Sequence, residues 1–332
     1  MLKRITRMRE FMIFMIVVGI VIIMSLSSPY FLHSGNLLAV LLGLSIEAMI
    51  AVAMASLMVS GGFDMSVGSI VAFTGAMTAI MLKSGWPIVL AVLVGLLLGA
   101  GIGLFNGLII AKVGINPFVT TLASLSLFRG LTLIVTQGQN ISDLPASFNI
   151  IGQAKIFGVQ TPIVIALLLV IFGDILLRKS RFFRQNYYIG GNEKSARLSG
   201  IPVDWMKVFN YVMTGTLAAL AGIVMTSRLG SASVTAGNGL ELRVITAVII
   251  GGASLQGGEG TVLGAFLGSL VMALITNALT LLGVDVYWQT FIIGATLLVA
   301  VLIDKIGKDS KIKNSAKKKE GDLSCNIQAT KG

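Results

Sequence analysis

The sequence predicts an all-α membrane protein, a polytopic helical bundle of about ten transmembrane helices with broken or re-entrant segments. Two observations lead to this prediction. Of 332 residues, 55% are hydrophobic and only 12% are charged, whereas about 25% of a soluble domain is typically charged. Several apolar runs also reach the roughly 20 residues that a helix needs to cross a bilayer.

Ten apolar segments are expected to form the bundle. Segment 11–28 follows a basic stretch as in a signal peptide, but it is interpreted as an uncleaved helix because more spans follow. Segment 243–256 is short and contains Gly251-Gly252, so whether it crosses or re-enters stays open. The segments cover residues 11–28, 37–59, 66–82, 88–111, 118–136, 161–178, 208–227, 243–256, 261–282 and 287–303.

Basic residues set the predicted orientation. They collect in residues 3–9, at Lys112, in the loop 179–207 and in the C-terminal tail. Since Lys and Arg concentrate in cytoplasmic segments, ten crossings with both termini in the cytoplasm place all four groups inside. The net charge of +11 is thereby explained without nucleic acid as a partner.

Two regions are expected. Residues 1–308 form the transmembrane domain, which includes the loop 179–207. Residues 309–332 form a basic tail, expected to be disordered in the cytoplasm, whose role stays open.

Several kinds of chemistry have no signal in the sequence. Cys325 is the single cysteine and His33 the single histidine, so no internal disulfide, metal site or catalytic histidine is predicted. No GxxxxGK[ST] motif is present, so the chain is not expected to bind ATP in that way. An enzyme is therefore not favoured, and no cofactor is expected in this chain.

The loop 179–207 contains a short helix with both ends marked. Asn192 can cap its start and Glu193 favours the positive end of the helix dipole. Gly200 suits the left-handed position after the helix, and Pro202 stops continuation. A helix of about seven residues needs a partner surface, either its own protein or a cytoplasmic subunit. The apolar contacts on offer are Ala196, Leu198 and Ile201.

The stretch SGGFDMSVGS, residues 60–69, breaks a long apolar tract. Gly61 and Gly62 permit a sharp turn, and Asp64 or Ser66 can cap the helix that follows. Capping is the favoured role of Asp64, ahead of direct contact with a solute. Gly251-Gly252 and Asn116-Pro117 mark two further breaks that are candidates for a pathway or gate, although Pro117 also suits a plain helix start.

Glu47 and Arg129 lie in the middle of predicted spans. Because a charge at the bilayer centre costs roughly 2.5–3.5 kcal/mol, each is expected to face protein or water. An ion pair between the two is favoured over direct contact with a solute. Asn106 and Asn277 are further polar residues within spans, for which structural roles are favoured.

Four motifs resemble one family. GGNEKSARLSGIPV, residues 190–203, resembles the coupling loop of permease subunits from bacterial ABC importers of the ribose/galactose type. SGGFDMSVGS resembles the GG-[IF]-D-[LM]-S-x-G-S signature of that family. Residues 115–138 and 241–268 resemble two further family segments, and the likeness runs in order from about residue 37 to 303.

This resemblance implies the permease of an ATP-driven importer in a bacterial plasma (inner) membrane. It would translocate a sugar or sugar-like molecule received from an extracytoplasmic binding protein. A pair of cytoplasmic ATPase subunits would hold ATP and Mg, and a second permease copy or paralogue would complete a dimer. The break at residues 60–69 would line or gate the pathway.

One alternative is an ion-coupled secondary transporter in which Glu47 and Asp64 are ion sites. The identity of the sugar and the choice between homodimer and heterodimer stay open.

Overall fold

The computed structural model describes residues 2–306, with side chains from residue 10 onward. The predicted tail 309–332, with Cys325, lies outside the described residues. Apart from one short hairpin, β1 (Lys155–Ile156) with β2 (Val159–Gln160), the regular elements of the described chain are helices. These are α1 (Leu2–Ser27), α2 (Ser34–Val59), α3 (Val67–Lys83), α4 (Ile88–Leu108, continued by a π-helical turn Ile109–Val113), α5 (Pro117–Thr136), α6 (Ala146–Gln153), α7 (Thr161–Lys179), α8 (Arg181–Gly191), α9 (Glu193–Leu198), α10 (Val203–Leu229), α11 (Leu240–Ile250), α12 (Val262–Leu281) and α13 (Val286–Ile306).

The fold is the predicted helical bundle. Eight of the described helices are long and apolar enough to cross a membrane. Each of the ten predicted segments coincides with a helix, and the two outside that set of eight are the shorter α3 and α11. Helix α3 has 17 residues and α11 has 11.

Helix α11 explains the weak segment 243–256. At 1.5 Å per residue its 11 residues span only about 16 Å, half of a bilayer core. The irregular stretch 231–239 precedes it, with Ala232 and Gly237 buried. Irregular backbone is tolerated at membrane depth when protein covers it. This part of the chain is therefore a short helix preceded by a buried loop, and it does not form a continuous helix across the membrane.

Helix α2 occupies the centre of the bundle. Every residue from Leu44 to Val59 is buried, as expected for a helix that is hydrophobic all round. Helix α10 packs against α2, α3 and α4. Helix α2 also packs against α7, α11 and α12, so it is surrounded by other helices.

Glycines on one face of α4 let this helix pack closely against α10. A Cβ added at Gly99 would lie 2.5 Å from the carbonyl oxygen of Gly215, and one at Gly103 would lie 2.2 Å from that of Tyr211. Helices α4 and α10 thus approach backbone to backbone, which small residues spaced by four allow.

Candidate functional site

Three glycines from separate parts of the chain meet at one point, called here the glycine junction. They are Gly61 after α2, Gly190 in α8 and Gly257 after α11. A Cβ added at Gly190 would lie 2.0 Å from the carbonyl oxygen of Val59. A Cβ added at Gly257 would lie 2.7 Å from Cα of Gly190 and 2.9 Å from Cα of Gly61. The backbone N–H of Gly258 donates to the carbonyl of Val59 at 2.8 Å. Three segments far apart in sequence therefore pack against one another through bare backbone.

A cavity of about 520 Å³ opens beside this junction and is called here the inner cavity. It brings together the predicted gate and coupling motifs, which come from three separate parts of the chain. Its lining includes Gly61, Gly62, Asn116, Pro117, Asn192 and Glu193.

The other gate candidates lie elsewhere. Gly251 packs on α12, where an added Cβ would meet the carbonyl oxygen of Gly264 at 2.4 Å. Gly252 takes a positive φ of 90° in the turn that ends α11. The Gly251-Gly252 pair thus allows close packing between the end of α11 and α12, and it does not line the inner cavity.

Asp64 is fully buried and shapes the start of α3. Its Oδ1 accepts from the backbone N–H of Ser66 at 2.8 Å and from the Ser66 hydroxyl at 2.5 Å. Nδ2 of Asn106 donates to that hydroxyl at 3.0 Å, and Ser124 donates to Asn106 Oδ1. The Asp64 carboxylate thus binds Ser66, the residue before α3, and the Ser66 side chain makes no capping hydrogen bond to α3. The predicted side-chain cap is therefore replaced by a turn that Asp64 closes on Ser66.

A second buried polar cluster was not predicted from the sequence. It joins α2, α8 and α10 through Ser56, Ser60, Asn186 and Asn210. Nδ2 of Asn186 donates to Ser56 Oγ at 2.9 Å, and Nδ2 of Asn210 donates to Asn186 Oδ1 at 2.9 Å and to Ser60 Oγ at 3.3 Å. Helix α8 was itself missed because its sequence, RFFRQNYYIGG, is polar enough to suggest a loop.

The short helix predicted in the loop 179–207 is α9, and it forms with the predicted caps. Asn192 Oδ1 accepts from the backbone N–H of Ser195 at 3.0 Å. Gly200 takes a φ of +80°, and the N–H of Ile201 donates to the carbonyl of Ala196 at 3.1 Å. These bonds close the helix end as a left-handed glycine turn does.

Helix α9 has one inward and one outward side. Ala196 is buried against Ile189, Val203 and Met206. Leu198 is 91% exposed. The helix thus packs on its own protein and leaves one apolar side chain exposed on its other side.

A charged cluster holds α9 against α10. Nζ of Lys207 donates to Glu193 Oε2 at 2.7 Å, and Nη2 of Arg197 donates to Glu193 Oε1 at 3.0 Å. Asp204 also accepts from Arg197, with Nζ of Lys112 3.8 Å away.

These contacts shift two carboxyl groups. Partial burial raises the pKa of Glu193, but the hydrogen bonds from Lys207 and Arg197 outweigh it, and the net pKa is lowered. The hydrogen bond from Arg197 lowers the pKa of Asp204.

The predicted ion pair between Glu47 and Arg129 is wrong. Oε1 of Glu47 lies 2.9 Å from Nε of Arg243. Nη1 of Arg129 instead donates to the carbonyls of Val234 and Ala236 at 3.0 and 2.8 Å. The physical reason is packing order, because α11 packs against α2 whereas α5 packs mainly against α3. Arg243 is the first residue of the predicted span 243–256, so the sequence did not identify it as the partner of Glu47 in the middle of a span.

A second cavity, called here the outer cavity, has a volume of about 300 Å³. It lies between α2, α10, α11 and α12, and Glu47, Arg228, Arg243 and Asn277 are among its lining residues.

Comparisons with known proteins agree with one another. A family model described as "Branched-chain amino acid transport system / permease component" matches residues 36–301. The ribose import permease RbsC of Bacillus subtilis (strain 168) is 41% identical over 86% of this chain and 89% of its own length. The L-arabinose permease AraH and the D-allose permease AlsC, both of Escherichia coli (strain K12), are 35% and 32% identical. AraH covers 85% of this chain and 86% of its own length; AlsC covers 88% and 90%. No solved structure matches the chain.

Proposed function

Since this chain belongs to the permease family whose model matches residues 36–301, we propose that it carries a neutral monosaccharide across a bacterial plasma membrane as the permease of an ATP-binding cassette importer. It is a transport component, not an enzyme, as its relatives are permeases of such importers. These relatives do not favour the ion-coupled alternative.

The substrate class is supported by three relatives. The family description names branched-chain amino acids, but the relatives at 32–41% identity are named for ribose, L-arabinose and D-allose. All three sugars are uncharged pentoses or hexoses. We therefore infer a pentose or hexose, delivered by an extracytoplasmic binding protein.

Energy would come from a cytoplasmic ATPase that docks on α9. The observation that carries this proposal is the exposed Leu198 on a helix that the Lys207–Glu193 and Arg197–Asp204 salt bridges join to α10. Trp205, 62% exposed at the start of α10, adds a second apolar side chain nearby. A second permease copy or paralogue would bring a second α9 for a second ATPase, and both termini would lie on this cytoplasmic side.

The structure offers a path for the mechanical signal. Helix α8 precedes α9 directly, and its Asn186 and Gly190 contact Ser56 and Val59 at the end of α2. A displacement of α9 by the ATPase would therefore move the glycine junction. Because that junction borders the inner cavity, its movement would open or close the cytoplasmic end of the pathway.

Reconstitution tests the function directly. The permease, its ATPase and its binding protein would be placed in proteoliposomes, and uptake of labelled D-ribose, L-arabinose and D-allose would be measured. We expect uptake of at least one sugar to require ATP and to survive ionophores. Uptake that ignores ATP and collapses with the ion gradient would establish the secondary transporter instead.

The docking role of α9 has its own test. Leu198→Asp should abolish copurification of the ATPase while leaving the thermal unfolding of the permease unchanged. Phe157→Asp is the matched control, since Phe157 is fully exposed at the tip of the β1–β2 hairpin and should not affect ATPase binding. Normal copurification with Leu198→Asp would contradict docking on α9.

A further inference from the structure

We propose that the outer cavity binds one neutral monosaccharide within the permease itself. This inference rests on the proposed function and adds a site to it. The volume of about 300 Å³ is at the lower end of the range for small-molecule sites. A cavity of that size suits a single sugar ring rather than an oligosaccharide.

The cavity extends inward from one end of the bundle. Ala39, in the second turn of α2, and Thr280, in the last turn of α12, lie near its mouth, while Glu47 and Arg243 form its floor. At 1.5 Å per residue, Glu47 lies about 12 Å below Ala39 along α2. In the proposed orientation this mouth faces the side where a binding protein would release sugar.

Two buried polar atoms on this cavity have no hydrogen-bond partner in the protein. They are Oε2 of Glu47, whose other oxygen pairs with Arg243, and Nε of Arg228. Glu47 itself is only 8% exposed. Buried polar atoms are nearly always paired, and an exception calls for an explanation. Two exceptions of opposite kind on one cavity point to a ligand that pairs with them.

The hydrogen-bonding atoms of the outer cavity indicate which class of ligand it binds. Oε2 of Glu47 accepts a hydrogen bond, and the Nε–H group of Arg228 donates one. A hydroxyl group can satisfy both kinds, whereas a simple anion cannot donate to Glu47 and a simple cation cannot accept from Arg228. Apolar side chains such as Val40 and Leu240 also line the cavity and suit the C–H faces of a sugar ring. A neutral polyhydroxylated ring therefore matches the site.

Protection of an introduced cysteine tests the site. Cys325, the single native cysteine, would be replaced by Ser, and Thr276→Cys would place a thiol on the cavity wall. A small membrane-impermeant methanethiosulfonate reagent would be added outside cells that carry the full transporter. Leu282→Cys, at the end of the same helix and outside the cavity lining, is the matched control.

We expect at least one of D-ribose, L-arabinose and D-allose to slow modification of Thr276→Cys but not of Leu282→Cys. Adding Glu47→Gln should raise the half-protecting concentration about tenfold or more, because a hydrogen bond to a charged group is lost. Arg228→Met should act in the same direction and gives a second variant that leaves the Glu47–Arg243 pair in place.

The outcomes separate this inference from the function on which it rests. If the complex transports a sugar that gives Thr276→Cys no protection, the cavity is not a sugar site although the function stands. Protection by sodium phosphate in place of sugar would also overturn the inference. If none of the three sugars is transported, the proposed function fails and this site fails with it.

Discussion

Asn186 of α8 and Asn210 of α10 donate to each other inside the protein. Nδ2 of Asn210 lies 2.9 Å from Oδ1 of Asn186, and Nδ2 of Asn186 lies 3.4 Å from Oδ1 of Asn210. Both residues are fully buried. Since α8 leads directly into α9, this pair connects the proposed ATPase contact to the helix core.

Asn210→Leu should therefore destabilise the protein. The substitution keeps the number of side-chain heavy atoms but removes the donor to Oδ1 of Asn186 and the acceptor for the hydroxyl of Ser56. Each buried polar group left without its partner costs about 1–3 kcal/mol. The melting temperature of the purified chain in detergent measures the loss. Thr216→Val is the control, because the Thr216 hydroxyl donates only to the carbonyl of Val212 in its own helix. An unchanged melting temperature for Asn210→Leu would mean that the pair does not stabilise the fold.

Adjacent glycines in α8 give a sharper comparison. An added methyl at Gly190 would lie 2.0 Å from the carbonyl oxygen of Val59, whereas one at Gly191 would meet nothing within 4 Å. Gly190→Ala should cost about 1–3 kcal/mol through overpacking and reduce ATP-driven uptake, because it displaces the glycine junction. Gly191→Ala should be neutral or slightly stabilising. Equal stability and uptake in the two variants would refute a close-packed junction.

The charged cluster on α9 predicts an acid sensitivity. The pKa values of Glu193 and Asp204 lie below their ordinary values of 4.5 and 3.8. A carboxyl group whose pKa is lowered by folding stabilises the folded state at pH values above its ordinary pKa. This stabilisation is lost as the pH falls from the ordinary pKa to the lower pKa of the folded state. Between pH 6 and 8 both carboxyl groups stay ionised, so they should not change the melting temperature. At pH values below about 4.5 the melting temperature should decrease.

The double variant Glu193→Gln/Asp204→Asn tests that assignment. It should lower the melting temperature at neutral pH and flatten its acid dependence, because neither side chain then titrates. A wild-type acid dependence in the double variant would assign the effect to other groups.

The local features of the sequence were predictable because neighbours in the chain determine them. The caps of α9 at Asn192 and Gly200 depend on residues within four positions. The packing face with Gly99 and Gly103 follows from the helical period alone. The hydrogen bond between Asp64 and Ser66 is likewise local, since the two residues are two positions apart.

Pairings between helices could not be predicted in the same way. Glu47 is 196 positions from its true partner Arg243, and the choice over Arg129 depends on whether α11 or α5 lies beside α2. The convergence of Gly61, Gly190 and Gly257 likewise depends on the packing of three separate segments. A single sequence can indicate that each glycine ends a helix or lies in a close contact, but it cannot show that the three glycines meet.

Arg129 gives the last prediction. Its Nη1 donates to the carbonyls of Val234 and Ala236, in the irregular stretch 231–239 that enters the bundle before α11. Helix α11 carries Arg243, so this anchor also fixes one side of the outer cavity floor. Arg129→Met should therefore loosen residues 231–239 and raise their amide hydrogen exchange.

Hydrogen-exchange mass spectrometry of the full chain in nanodiscs measures this loosening. We expect protection of residues 231–239 to fall by about one to two orders of magnitude, the factor that corresponds to the roughly 1.5–3 kcal/mol of a hydrogen bond to a charged group. Arg181→Met removes an exposed arginine on α8 and should leave that exchange unchanged. Arg129→Lys, which keeps the charge but not the planar fork of donors, should give an intermediate result. If Arg129→Met exchanges like wild type, the stretch is held by its other contacts, such as the hydrogen bond from the N–H of Val234 to Asn140 Oδ1.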